Sequence, residues 1–395
     1  MESYLLDEAR KFYSEGFGDK PRIESWGPGR VNLIGEHTDY NEGYVLPLAV
    51  DRGLFLVGKA RTDGRVILHS ADYQDRVEFP FHNLKKDPDH PWADYFKGVL
   101  DQFQKRGATF SGCQAVLKGD LPQGAGLSSS ASLEVATAVF LEKVTGFNLQ
   151  DMELIKTAQA AENQFVGVQC GIMDQFASYL GKEGQVLFID CRSLDYQWVP
   201  FPSSLKLVVC NTGVKRRLGS SAYNKRREEC EEGVKKLSSV LPHLHSLRDV
   251  SLADFKKHEN LLPLEIQKRC RHVISENQRV LDTMKALASK DLERLRSLLL
   301  ESHDSLQMDY EVSCPELDLL VEISRKNRKV AGGRMTGAGF GGCTVNLVPE
   351  EAVEGFRQEA TKAYEKKFRK LETYVFSPAN GAKYFQVKPS LGSAV

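Results

Sequence analysis

Residues 121–136 read Leu-Pro-Gln-Gly-Ala-Gly-Leu-Ser-Ser-Ser-Ala-Ser-Leu-Glu-Val-Ala, a stretch that admits few conformations. Glycines at 124 and 126 let the backbone turn tightly and approach a ligand, and Ser128, Ser129 and Ser130 then open a run with helical apolar spacing. Leu133, Ala136, Phe140 and Val144 form its buried face, and Gly146 can end it. The segment 114–119 upstream has the pattern of a strand. A strand, a glycine loop and a helix N-terminus in that order make an anion site, because unpaired N–H groups and the positive dipole end face the loop. No lysine lies in the stretch, so it is not the G-x-x-x-x-G-K-[ST] phosphate loop, and bound phosphate needs another counterweight. Taken alone, the same residues also describe a capped helix after a turn.

Three other stretches concentrate polar side chains. Residues 26–43 predict a short strand at 30–34 and a polar turn, after which 44–50 is extended but interrupted by Pro47. Glu36, His37 and Asp39 crowd that turn; they suit a cation, a polyhydroxylated ligand or simply a charged hairpin loop. A helix from Asn148 to about Val166 has Ile155, Ala158, Ala161 and Phe165 on its apolar stripe. Glu162 falls on or beside that stripe, where a carboxylate needs a partner such as a metal unless it sits at an exposed edge. A second short helix over 170–181 turns Ile172, Met173, Phe176 and Leu180 inward and leaves Cys170, Gly171, Asp174 and Ser178 together. Small residues around one carboxylate suggest that something approaches it closely, although a surface acid or a cap has the same local pattern. Cys170, with no basic neighbour, reads as a wall residue.

The remaining pattern alternates helix and strand: a helix over 2–15, strands at 54–59 and 66–70, a helix at 92–103, and strands at 185–190 and 205–211. From about 220 to 327 it is helical and charged, broken by Pro242, Pro263 and Pro315. Tyr223 carries no local signal. Residues 337, 339 and 342 satisfy G-x-G-x-x-G, but this loop follows a helix and enters a strand at 343–348, the reverse of a dinucleotide fingerprint. A helix and a strand near 373–376 follow. The 395 residues suffice for two domains. Lys plus Arg equals Asp plus Glu at 53 each, which argues against nucleic acid or an anionic membrane as the main partner. Eight scattered cysteines without a C-x-x-C pair, an acidic N-terminus and the lack of a bilayer-length apolar run predict a cytoplasmic chain with no membrane span.

These motifs, in this order, resemble the galactose, homoserine, mevalonate and phosphomevalonate (GHMP) kinase superfamily, and within it the galactokinase family. Gly29-Arg-Val-Asn-Leu-Ile-Gly-Glu-His-Thr-Asp-Tyr-Asn is similar to the galactokinase signature, 122–132 to the superfamily's ATP loop, 333–343 to its third glycine motif, and Cys170-Gly-Ile-Met-Asp-Gln-Phe to the segment bearing the catalytic acid. The resemblance implies an α+β fold of two domains meeting at a cleft, taken here as 1–185 and 186–395. It further implies phosphorylation of the C1 hydroxyl of α-D-galactose by ATP, the co-substrate, with Mg²⁺, at the entry to galactose catabolism. Asp174 and Arg30 are then the catalytic pair, and Glu36, His37, Thr38, Asp39, Gly171 and Tyr223 hold the sugar. Ser70, Gly124, Ala125, Gly126, Leu127, Ser128, Ser129 and Ser130 contact ATP, while Ser130 and Glu162 hold the metal. A helix end of about +0.5 charge cannot balance the triphosphate, so Mg²⁺ at Ser130 and Glu162 supplies what the missing lysine would. A monomer is expected. The alternatives are a sibling N-acetylgalactosamine or arabinose kinase, or a non-catalytic sensor of galactose and ATP. The sequence departs from the family pattern at Gly27, where alanine is usual, and at Ala338, where glycine is usual.

Overall fold

A computed structural model of the chain describes residues 2–122, 126–214 and 219–385. In chain order the first part comprises α1 (Glu2–Phe17), β1 (Ile23–Asn32), β2 (Tyr44–Val45), β3 (Pro47–Ala60), β4 (Arg65–Ser70), β5 (Asp75–Pro80), α2 (Ala93–Lys105), β6 (Cys113–Gly119), α3 (Ser129–Thr145), α4 (Asp151–Ala160), α5 (Met173–Leu180), β7 (Gln185–Asp190) and β8 (Tyr196–Pro200). The remainder comprises β9 (Leu205–Asn211), α6 (Gly219–Leu237), α7 (Leu252–His258), α8 (Leu264–Ser289), α9 (Leu292–Met308), α10 (Pro315–Lys326), β10 (Gly333–Thr336), β11 (Cys343–Pro349), α11 (Val353–Glu365), β12 (Glu372–Phe376) and β13 (Lys383–Phe385).

The strands form a six-stranded sheet in the order β13-β1-β3-β6-β4-β5, a four-stranded sheet β10-β11-β9-β12 and a small sheet β2-β7-β8. Pairing runs across the expected division at residue 185: β7 pairs with β2, and β13 returns to pair with β1. One apolar cluster also joins the two parts, bringing Val31, Leu48 and Leu127 against Leu207, Val280, Leu298 and Val345. A second, between the six-stranded sheet and helices α2 and α3, contains Leu56, Val66, Phe96, Phe103 and Phe140.

Several boundaries differ from the sequence expectation for identifiable reasons. β1 begins at Ile23 and crosses Gly27-Pro28-Gly29, since a register shift between Pro28 and Arg30 absorbs the proline. β3 is one continuous strand because Pro47 occupies its first position, where the missing N–H does no harm, and Asp51 and Arg52 break only the apolar pattern. The helix expected from Asn148 starts instead behind Gln150, whose N–H donates to Glu153 Oε2 at 3.2 Å, and after Ala160 it widens into a π-helical turn, Ala161–Val166. The strands β5, β8, β10 and β13 were not expected; β10 and β13 are short, and β10 lies inside the third glycine motif.

Helix α3 packs on β1 with almost no space between them. A Cβ on Gly27 would lie 2.2 Å from the Ser132 carbonyl oxygen. Ser132 Oγ donates to the Gly27 carbonyl at 2.6 Å, and Ser25 Oγ to that of Ala136 at 2.8 Å. Glycine at 27 therefore sets the distance between the strand that carries Arg30 and the helix that opens at the serine run.

Candidate active site

A cavity of about 1080 Å³ opens where β1, the serine loop, the π-helical turn, α5 and α6 converge. Arg30 and Asp174 meet in its wall. The β1 bulge turns Arg30 inward, and its Nε and Nη2 donate to Asp174 Oδ1 and Oδ2, each at 2.7 Å. The third guanidinium nitrogen donates to the Gly126 carbonyl at 2.5 Å, and the Arg30 N–H to that of Leu127 at 3.0 Å. Gly29 suits this apposition, as a Cβ there would lie 2.9 Å from the Leu127 carbonyl oxygen. Asp174 occupies the first turn of α5, where the dipole favours negative charge. Its Oδ2 also accepts from the hydroxyl of Ser128, whose backbone is left-handed (φ 56°).

On one side of this pair lies the turn after β1. His37, itself at φ 65°, hydrogen-bonds Tyr40 Oη through Nδ1 at 2.8 Å and packs on the rings of Tyr310 and Tyr223 at 4.6 and 5.6 Å. Burial, together with the charges of His272 and Arg226, holds its imidazole well below the usual range and hence neutral near pH 7. His37 Nε2 is buried without a well-formed hydrogen bond among the described residues, and His37 lines the cavity, so a ligand hydroxyl fits it. Burial raises Asp39 to about 6, helped by the charge of Asp174. The small residue beside it proves to be spacing for this acid: a Cβ on Gly171 would lie 1.9 Å from Asp39 Oδ2. Glu36 and Tyr223 also line the cavity. Thr38 does not; it is fully buried and its hydroxyl lies 2.7 Å from the carbonyls of Gly35 and Tyr44, bracing the turn from behind.

On the other side the N-terminus of α3 faces the cavity with Ser128, Ser129 and Ser130, and the Ser128 side chain does not cap it, which leaves N–H groups for a ligand. Gly126 and Leu127 line the same wall. Gly124 and Ala125 lie outside the described residues. Ser70, at the end of β4, is buried and is not among the described residues lining the cavity; its Oγ accepts from the Tyr73 N–H at 3.3 Å. Glu162, in the π-helical turn, is hydrogen-bonded by Ser130 and by Gln175 Nε2, the latter at 2.9 Å. Burial raises its carboxyl above the usual range, as does the charge of Asp174, against the pull of those hydrogen bonds.

Several residues around the site escaped the sequence reading. Arg334 on β10 is fully buried, ion-pairs with Glu36 and donates to the Leu33 carbonyl at 3.1 Å. Glu36 also accepts from Thr336 Oγ1 at 3.1 Å and the Gly337 N–H at 3.0 Å, so the third glycine motif holds it in place. Glu276 on α8 accepts from the Gly35 N–H at 3.1 Å and lies 3.9 Å from Arg334. Glu134 and Gln175 lie fully buried behind Glu162. The available signal is a charged residue inside an otherwise apolar segment, as at Glu134.

Three family models match the chain: the galactokinase galactose-binding signature over residues 11–60, the GHMP kinases N terminal domain over 94–182 and the GHMP kinases C terminal over 283–366. The chain is 44% identical over 362 residues to a galactokinase of Roseiflexus sp. (strain RS-1), covering 91% of this chain and 92% of the relative. It is 41% identical to a galactokinase of Chloroflexus aurantiacus, covering 96% and 97%. Among solved structures it is similar to Lactococcus lactis galactokinase complexed with galactose, with a TM-score of 0.92 at 36% identity over 97% of this chain and all of that one. Methanococcus jannaschii mevalonate kinase shares the fold at 19% identity, with a TM-score of 0.64 over 91% of this chain and 99% of that one.

Proposed function

We propose a division of labour for a chain that belongs to the galactokinases of the GHMP kinase family and carries out ATP-dependent phosphorylation of galactose. The acceptor is the C1 hydroxyl of the α anomer, and the products are α-D-galactose 1-phosphate and ADP, as expected of the first step of galactose catabolism. The observation that carries this reading is the two-point contact of Arg30 with Asp174, set between the galactokinase signature and the start of α3.

A sugar hydroxyl is a weak nucleophile, and Asp174 is the group that takes its proton. The O–H bond breaks toward Asp174, the sugar oxygen bonds to the γ-phosphorus, and the bond from that phosphorus to the bridging oxygen of ADP breaks in line. Arg30 fixes the Asp174 carboxylate and offsets charge on the transferring phosphoryl oxygens. Glu36, His37, Asp39 and Tyr223 orient the sugar, with Gly171 leaving room for Asp39. The α3 start, from Gly126 to Ser130, receives the phosphates.

Mg²⁺ fits the donors at the nucleotide side. Ser130 and Glu162 offer hard oxygen atoms, and no group of three or more His, Cys, Asp or Glu forms a metal cage among the described residues, as suits an ion that keeps its waters and binds phosphate. Bound there, Mg²⁺ would neutralise phosphate charge. No helix among the described residues is long and apolar enough to cross a membrane, and we assign the enzyme to the cytoplasm as a monomer. The signature match over residues 11–60 favours galactose over N-acetylgalactosamine or arabinose, and the presence of Asp174 with Arg30 weighs against a silent sensor. A sugar panel in a coupled ADP-release assay tests this: galactose should exceed the other sugars by at least about tenfold in kcat/KM, whereas preference for another sugar, or no turnover, would refute it.

A further inference from the structure

Behind Glu162 lies a second carboxylate for which the reaction has no evident use. Glu134, on α3, is fully buried, and its Oε1 has no hydrogen-bond partner among the described residues. Its Oε2 accepts from Nε2 of Gln175 at 2.9 Å. The same Nε2 donates to Glu162 Oε2, also at 2.9 Å. Gln175 is itself fully buried, on α5 next to Asp174. One amide nitrogen thus spends both its protons on two buried acids, neither of which has a cation beside it among the described residues, and burying so many polar groups together is costly. An apolar residue at 134 would pack there at no such cost, so a buried polar relay of this kind calls for a reason.

We propose that Gln175 is a positioning residue: braced by Glu134, its amide fixes the Glu162 carboxylate in the orientation that receives the metal–nucleotide complex. The inference rests on the assignment of Glu162 to the metal in the preceding section. The position of Glu162 explains why bracing is needed. It lies in the π-helical turn Ala161–Val166, where the regular hydrogen-bond ladder that would hold a helical side chain is altered. Its other contacts are a thiol, Cys170 Sγ at 3.3 Å, and the Ser130 hydroxyl, which faces the cavity. Groups that hydrogen-bond a metal ligand commonly set affinity by 10- to 100-fold. Asp174 is held independently by Arg30 and Ser128, so loosening Gln175 should reach the metal side of the site and spare the sugar side.

The test compares ADP binding by calorimetry with Mg²⁺ and in EDTA, alongside galactose binding, for wild type, Gln175→Met and Gln175→Asn. Methionine keeps the volume and removes the amide. Asparagine keeps an amide but withdraws it by one methylene, and serves if the first variant does not fold. In either variant Mg²⁺ should strengthen ADP binding roughly 10-fold less than in wild type, with the dissociation constants for galactose and for ADP in EDTA unchanged within about twofold. A Mg²⁺ effect equal to wild type, or an equal loss in all three measurements, would overturn the inference. Glu162→Gln measured in parallel separates the two layers. If it abolishes the Mg²⁺ effect while the Gln175 variants keep it, only the positioning role fails; if it too behaves as wild type, the metal assignment fails.

Discussion

Gly171 and Asp39 approach so closely that a Cβ on residue 171 would lie 1.9 Å from Asp39 Oδ2. The obstructing atom is the end of a side chain and not backbone, so Asp39 can swing aside at little cost in stability but loses its place in the cavity. Gly171→Ala should therefore raise KM for galactose by about 10- to 100-fold, the value of one charge-assisted hydrogen bond, and leave KM for ATP and the melting temperature nearly unchanged. Unaltered galactose KM would show that Asp39 does not bind the sugar.

Asp39 also predicts a pH dependence. Burial and the nearby Asp174 charge raise it to about 6. A carboxylate accepts sugar hydroxyls best when ionised, so binding weakens as pH falls through 6, well above the range of an ordinary aspartate. The acid limb of kcat/KM for galactose, which reports the free enzyme, should bend near pH 6. Asp39→Asn should lower kcat/KM and remove that bend; a bend that persists in the variant assigns it to another group.

Arg334 is fully buried and faces both Glu36 and Glu276. Glu276 keeps its ion pair with Arg279 at 2.6 Å, so Arg334→Met would strand the buried Glu36 and should cost about 3–5 kcal/mol, read as a lower urea midpoint at unchanged slope. Destabilisation below about 1 kcal/mol would mean that Glu36 is satisfied without it.

At the nucleotide side, Glu162→Gln retains size and a hydrogen-bonding oxygen but removes charge. The Mg²⁺ concentration for half-maximal turnover should rise by about tenfold or more, with galactose KM unchanged. A superimposable Mg²⁺ titration would take Glu162 out of the metal site.

What was legible in the sequence follows from how local each signal is. The glycine-serine loop, the start of α3 and the acid-bearing turn at 36–39 are written in contiguous residues, and they do line one cavity. Tyr223 lies in a charged helical region with nothing local to distinguish it, and only the fold sets its ring against His37. Arg334 and Glu276 are invisible to periodicity because their meaning depends on a third residue, Glu36, far away in the chain. The sequence pattern places this strand at 30–34, whereas β1 begins at Ile23, and the register shift between Pro28 and Arg30 accompanies the inward turn of Arg30. The partner that crowds Gly171 was equally hidden: the small residue signalled a close approach, and the approaching group turned out to be Asp39 from the other motif.

The reading as a whole depends on Asp174 acting at the reacting hydroxyl while Arg30 holds it. Asp174→Asn is the most direct test, because asparagine preserves shape and can still accept one of the two Arg30 bonds but is far too weak a base. Turnover should fall by about 10²–10⁴-fold, while dissociation constants for galactose and for ATP, measured by calorimetry, stay within a few-fold of wild type. A variant that retains wild-type kcat would contradict the account.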